Sequence, residues 1–316
     1  MSQQSGEPAT PRAADPRGSW RAVIDIGTNS VLLLIARWHG DDLEIALDQA
    51  TITRLGKGVA ASGVLAPESI ARTLAVLKQY RETAERHGAT PLAVTTEGVR
   101  LASNRDDFLT PAAAVLGAPV RLLSGAEEAE LSYRSVAQEL GPTTALRVLD
   151  IGGGSTELAV GEGERLISSV SHPIGAVRLF ERFVTQDPPA PSEVAQIEKT
   201  ALETLQRGQP LDPEPVLTGL AGTVTTAAAM LLGLTQYDRE QVDGSTFTID
   251  QVRDLRDRAA RVTVAERCQI WPTLEPARAD VIVAGMTILL AAMQHCGATS
   301  LAVRDRGLRY ALIERE

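Results

Sequence analysis

The pattern D-I-G-x-x-S-x-x-L-x-[IV] occurs twice in this sequence, at Asp25–Ile35 and at Asp150–Val160, about one domain length apart. Each copy reads as an apolar strand, a tight polar turn and a second apolar strand. Gly, Asn and Ser are common in any turn. Two matched turns, each preceded by Asp on an apolar strand, go beyond what turn chemistry alone requires. The repeat therefore predicts two related halves, each organised around one hairpin.

The turn composition suits phosphate. Glycine lets backbone N–H groups converge without a Cβ in the way, and Ser, Thr and Asn add neutral donors. An Asp at the strand end can hold a hydrated cation or position a water. A third segment, Leu217–Thr226, reads as a strand entering a hydroxyl-rich turn and then a helix. Helix N-termini attract anions, although a plain strand-to-helix turn has the same composition.

The rest of the chain fits α/β layers. Strands are expected at Ala22–Ile26, Val31–Arg37 and Leu43–Arg54, then at Leu92–Thr95 and Val120–Leu123. Helical spacing covers Pro67–His87, with Ile70, Leu74, Leu77 and Ala84 on one face and Gly88 as the stop. Ser124 and Glu127 form a capping-box pair opening the next helix. The second half repeats the scheme with strands at Arg147–Ile151, Thr156–Val160 and Glu164–Val170. Helices are then expected at Gly175–Val184, at Pro191–Arg207 and after Gly222. Leu301–Val303 is a last strand and Gly307–Glu314 a final helix. The apolar run Val281–Met293 is too short for a membrane span and reads as a buried helix ending near Gly297. Residues 1–19, rich in Pro, Ser, Gln and Gly, read as a disordered tail, not a signal peptide. A net charge of −9 and 3% aromatic residues argue against nucleic-acid binding. Cys268 and Cys296 form no C-x-x-C pair, which fits a reducing compartment; with no membrane span or leader, the cytoplasm is expected. His39, His87, His172 and His295 match no ligand spacing.

The repeat and the Leu217–Thr226 turn resemble the exopolyphosphatase/guanosine pentaphosphate phosphatase family, part of the actin, Hsp70 and sugar-kinase superfamily. Thr95–Asn104 is similar to that family's T-x-x-x-x-R-x-A-x-N segment. Ser124–Ala129 is similar to its S-G-x-E-E-A segment, and Asp305–Arg309 to its closing D-x-G-L-R. The resemblance runs from about residue 21 to the end. It implies two duplicated actin-like (ribonuclease H-like) α/β domains facing across a cleft, at residues 20–132 and 133–297. The segment 298–316 would pack back on the first. Longer members append a His/Asp-rich C-terminal domain; this sequence, with only four His, is expected to be a short, two-domain member. Leu32 departs from the family, which often carries a basic or polar residue there.

The same resemblance implies the chemistry. The second Glu of S-G-x-E-E-A serves as water activator, which by position is Glu128; Glu127 reads as structural. Magnesium is the implied metal, with Asp150 and Glu157 as its ligands and Asp25 completing the site from the other domain. Potassium is suggested by relatives as an activator. Arg100 is the basic phosphate ligand, because guanidinium donates two parallel hydrogen bonds. Gly27, Thr28, Asn29 and Ser30, with Gly152, Gly153, Gly154, Ser155 and Thr156, should line the cleft. Gly222 and Thr223 stand where relatives bind nucleotide. Arg54, Lys57 and Arg178 would extend a basic track for a longer polymer.

The expected reaction is release of terminal orthophosphate from inorganic polyphosphate. Hydrolysis of guanosine pentaphosphate to tetraphosphate uses the same chemistry and is the alternative. A kinase of the same superfamily and a non-catalytic actin-type scaffold are more distant rivals. Oligomeric state stays open, with a homodimer among the alternatives.

Overall fold

The computed structural model describes residues 19–40, 42–140, 144–208 and 216–313. Residues 1–18 of the expected tail lie outside them. Strands β1 (Arg21–Ile26), β2 (Ser30–His39), β3 (Asp42–Ile52), β4 (Pro91–Thr95) and β5 (Val120–Leu122) form one sheet in the order β3-β2-β1-β4-β5. Strands β6 (Ala145–Ile151), β7 (Thr156–Glu162), β8 (Arg165–His172), β9 (Val216–Leu220), β10 (Thr246–Thr248) and β11 (Ser300–Val303) form the other, in the order β10-β11-β9-β6-β7-β8. In each sheet the first three strands are antiparallel neighbours, and the next two join parallel to the first. The duplication read in the hairpins therefore extends to the whole topology. Only β10, short and antiparallel to β11, has no counterpart in the first sheet and was not foreseen.

Side-chain parity explains why the hairpin strands are apolar at almost every position. Each sheet is covered on both faces, so both sets of alternating residues are buried. Ile24, Leu33 and Ile35 pack with Leu77 and Phe108, from helices Pro67–Arg86 and Asp106–Leu116. Val23 and Leu34 face the other way, against Tyr310 and Ile313 of the returning C-terminal segment. In the second sheet Leu149 and Ile151 meet the Ile282–His295 helix, which is buried almost all round. Val148 and Ala159 face Tyr133 and Val136 of helix Gly125–Ala137.

Asp25 shares the parity of Val23, and Asp150 that of Val148. Each aspartate thus projects to the face covered by a helix at a crossing between the two sheets. Those helices, Gly125–Ala137 and Leu308–Ala311, also pack on each other. The last helix spans only Leu308–Ala311, shorter than expected, and β11, just before it, belongs to the second sheet. The crossing is pinned by charge. Arg304 and Arg306 both pair with Glu139 near the end of the first crossing helix, and Arg304 also reaches Asp243 at 3.0 Å. Among the described residues no helix is long and apolar enough to cross a membrane.

Candidate active site

Both repeated turns close with the same hydrogen bond. Gly27 N–H donates to the Ser30 carbonyl at 2.9 Å, and Gly152 N–H to the Ser155 carbonyl at 3.0 Å. The backbone N–H groups of Thr28, Asn29, Gly153 and Gly154 have no acceptor among the described residues. Thr28, Asn29 and Gly153 are half-buried and Gly154 is buried, so four unused N–H groups lie at the tips of two facing turns. The tips touch: a Cβ at Gly153 would stand 3.1 Å from Thr28 Cβ, and one at Gly154 would collide with Glu97 Oε2. A side chain at 153 or 154 would therefore have to push Thr28 or Glu97 aside across the cleft.

The cleft between the turns has a volume of about 140 Å³. It is lined by Gly27–Ser30, by Gly152–Ser155, and by Ala221, Gly222 and Thr223 at the start of helix Ala221–Leu231. That helix begins two residues earlier than expected. Ala221 adopts φ 65°, a conformation rare outside glycine, of the kind held at functional sites.

Three carboxylates line the cleft: Asp25, Glu128 and Asp150. Glu157 lies directly across the ladder from Asp150, on the same face of the sheet. It does not line the cleft itself. Ser132 donates to Asp150 Oδ2 at 2.6 Å, and Ser171 to Glu157 Oε1 at 2.7 Å. Asp25 Oδ1 and Glu128 Oε2 are buried with no hydrogen-bond partner. Burial raises all four carboxyls, and repulsion by neighbouring carboxylates adds to it at Asp25, Glu128 and Glu157. Asp25 is pushed up to about 7 and Glu157 to about 8. Glu128 is raised well above the usual carboxylate range by burial, then by the charges of Glu157, Asp150 and Asp25.

Orphaned carboxylate oxygens in a buried, mutually repelling set fit a hard divalent cation. No three His, Cys, Asp or Glu side chains among the described residues already converge with metal geometry. Magnesium does not require that convergence. It keeps several waters and takes one or two carboxylates plus substrate phosphates.

Glu127 and Glu128 part company as adjacent helical residues must. Glu127 completes the capping box, accepting from Ser124 N–H and Oγ at 2.8 Å each, and pairs with Arg121. Those bonds hold its carboxyl down at about 2. Glu128 turns inward. Arg100 stands 3.8 Å from it, outside the cleft lining, and donates to the Leu123 carbonyl at 2.6 Å. Thr156 is buried and donates to the Ile174 carbonyl, so its hydroxyl supports the loop instead of facing the cleft. Arg178 is committed to Glu97 at 3.0 Å, and Arg54 to Asp280.

Two arginines of the lining had no assigned role in the sequence. Arg278 lies beside Gly222 and donates to Thr226 Oγ1 at 3.1 Å. Nothing in the local sequence marks it. Arg309 sits within the D-x-G-L-R segment, which was the available signal. Its guanidinium grips Asp48 through Nε at 3.1 Å and Nη2 at 2.8 and 2.9 Å, and Tyr310 donates to the same carboxylate at 2.5 Å. From there its charge opposes the upward shifts of Asp25 and Asp150.

The raised carboxyls predict how the metal-free protein responds to pH. A group whose folded value lies above its unfolded one stabilises the fold below the unfolded value, near 4 for these carboxyls. That contribution is lost as pH rises through about 7 to 8. Thermal melts in EDTA should therefore show a falling Tm between pH 5 and pH 8 (both chosen to bracket this range). Magnesium should raise Tm strongly at the upper pH and little at the lower, because it needs the ionised forms.

Comparison with known proteins agrees with the geometry. The profile of the Ppx/GppA phosphatase family matches residues 34–316. Exopolyphosphatase 2 of Mycobacterium tuberculosis is 39% identical over 282 residues, covering 85% of this chain and 88% of that protein. The crystal structure of the Aquifex aeolicus Ppx/GppA family member superposes with a TM-score of 0.79 at 34% identity, covering 93% of this chain and 96% of that one. An exopolyphosphatase from Cytophaga hutchinsonii superposes with a TM-score of 0.83 at 25% identity over the same shares. With the profile running from inside β2 to the last residue, and solved relatives superposing over nearly the whole chain, this protein belongs to the Ppx/GppA phosphatase family.

Proposed function

We propose that the protein is an exopolyphosphatase, releasing terminal orthophosphate from inorganic polyphosphate by attack of water. The observation that carries this reading is the pairing, in one cleft, of unused N–H groups on two turns with an uncommitted carboxylate, Glu128. The N–H groups of Thr28, Asn29, Gly153 and Gly154 would hold phosphate oxygens. Charge developing on those oxygens strengthens such bonds in the transition state. Glu128 Oε2, buried and without a hydrogen bond, would accept the proton of the attacking water, and its elevated basicity suits that task. Arg100 would steady Glu128 and meet the departing phosphate. Asp150, Glu157 and Asp25 would hold magnesium, which when bound supplies charge neutralisation for the transferred phosphoryl group.

Polyphosphate is favoured over guanosine pentaphosphate by the lining and by the 39% identical relative. No aromatic side chain lines the cleft to stack a guanine; its apolar lining is aliphatic. Malachite-green phosphate release, run side by side on the two substrates with and without magnesium, tests this. Magnesium-dependent release from polyphosphate at the higher kcat/KM is expected. Faster release from guanosine pentaphosphate would reverse the assignment.

A further inference from the structure

A second cavity, of about 120 Å³, opens off the active-site cleft. The two share Asn29, Val177 and Val281 in their walls. Its remaining lining is Arg54, Lys57, Phe180, Glu181 and Asp280, with Lys57 exposed at its mouth. Arg54 is built onto the first phosphate turn. The Asn29 carbonyl accepts from the N–H groups of Thr53 and Arg54, at 3.0 and 2.8 Å. Arg54 itself is held at φ 52°, an unfavourable conformation for a non-glycine residue. Its guanidinium spans the cleft to Asp280 and to the Ala277 carbonyl at 2.9 Å. Beside it, Gly58 N–H donates to both oxygens of Glu181, at 3.0 and 3.1 Å. Lys57 has no carboxylate within ion-pair distance among the described residues.

Two carboxylates from one side of the cleft therefore occupy donors belonging to the other: a guanidinium and a main-chain N–H. Those donors are the kind that recognise phosphate. We propose that this cavity is a subsite for the distal phosphates of a long polymer, with Asp280 and Glu181 as internal stand-ins that the entering polyanion displaces from Arg54 and Gly58. The inference rests on the exopolyphosphatase reading for the identity of the polymer. Each resident carboxylate carries one charge, whereas the polymer carries one or more per phosphate and is already anchored in the adjoining cleft, so displacement becomes intramolecular. Burial also pushes the Glu181 carboxyl up, so the stand-in is not a comfortably solvated anion. Arg178 does not line this cavity and is not part of the subsite.

The test is calorimetric binding of long-chain polyphosphate and of tripolyphosphate, in magnesium, on a Glu128→Gln background that stops turnover. Arg54→Gln with Lys57→Gln should weaken long-chain binding about tenfold while moving tripolyphosphate less than about twofold. Asp280→Asn with Glu181→Gln should tighten long-chain binding several-fold. Equal losses on both lengths would mean that Arg54 and Asp280 only latch the two halves together. No loss on the long polymer would also overturn the subsite. If the Arg54 variant does not fold, Lys57→Gln alone carries the test, because its side chain is exposed. Phosphate release by the wild type is measured in parallel. No release from either polymer, with the chain-length difference in binding retained, would reject the exopolyphosphatase reading and leave the subsite standing.

Discussion

Glu128→Gln is expected to lower phosphate release by about 10²- to 10⁴-fold while the fold is kept. Gln keeps the shape and the polar contacts but cannot take a proton from water. Stability should hold or rise, because the substitution removes one charge from a set of four mutually repelling buried carboxylates. A malachite-green assay beside a circular-dichroism melt reads both outcomes. Glu127→Gln is the matched control. It weakens the capping box and the Arg121 pair at the helix start, so a loss of about 1 kcal/mol of stability with activity retained is expected. If both variants keep full release, Glu128 is not the water activator.

Arg309→Met is expected to be among the most destabilising single changes, at about 3–5 kcal/mol by urea denaturation at neutral pH. The guanidinium is 7% exposed and makes three hydrogen bonds to Asp48, itself only 15% exposed. Truncation leaves a mostly buried carboxylate without its counter-ion, and that uncompensated charge, more than the lost contact, sets the magnitude. Adding Asp48→Asn removes the stranded charge and should recover much of the loss. A penalty below about 1 kcal/mol would show that water reaches Asp48 and that the pair behaves as a surface bridge. The same variant removes a positive charge that opposes the upward shifts of Asp25 and Asp150, so magnesium dependence should steepen.

The hairpins were legible because their signal is local. An apolar strand, a glycine turn and a second apolar strand lie within eleven residues of sequence, and backbone sterics alone restrict what they form. The capping box was legible for the same reason: Ser124 and Glu127 are three residues apart. The buried Ile282–His295 helix followed from an unbroken apolar run. The short β10 was not legible. It has three residues, and its place depends on β11 as partner, more than fifty positions along. The final helix was overextended because its apolar residues serve to cover the first sheet, not to sustain helical periodicity.

Most of the motif residues line one cleft, but Arg100, Thr156 and Glu157 do not, and side-chain orientation was not legible. Thr156 belongs to the repeat, yet its hydroxyl is used by Ile174. Glu157 pairs with Asp150 across the ladder, yet only Asp150 lines the cleft. Arg278 reaches the cleft from more than fifty residues beyond Gly222, with no pattern to announce it.

By itself the sequence determined a duplicated α/β fold, two glycine turns fit for phosphate, and Glu127 as the capping-box partner of Ser124. Those features depend on backbone geometry and on spacings of a few residues. Only the tertiary structure decided which side chains share the cleft. Strand parity aims Asp25 and Asp150 at the faces that the two crossing helices cover, and that packing delivers Glu128 and Arg309 to them. Contacts of this kind join residues far apart in sequence, so they arise from the burial of both sheet faces and leave no local signature.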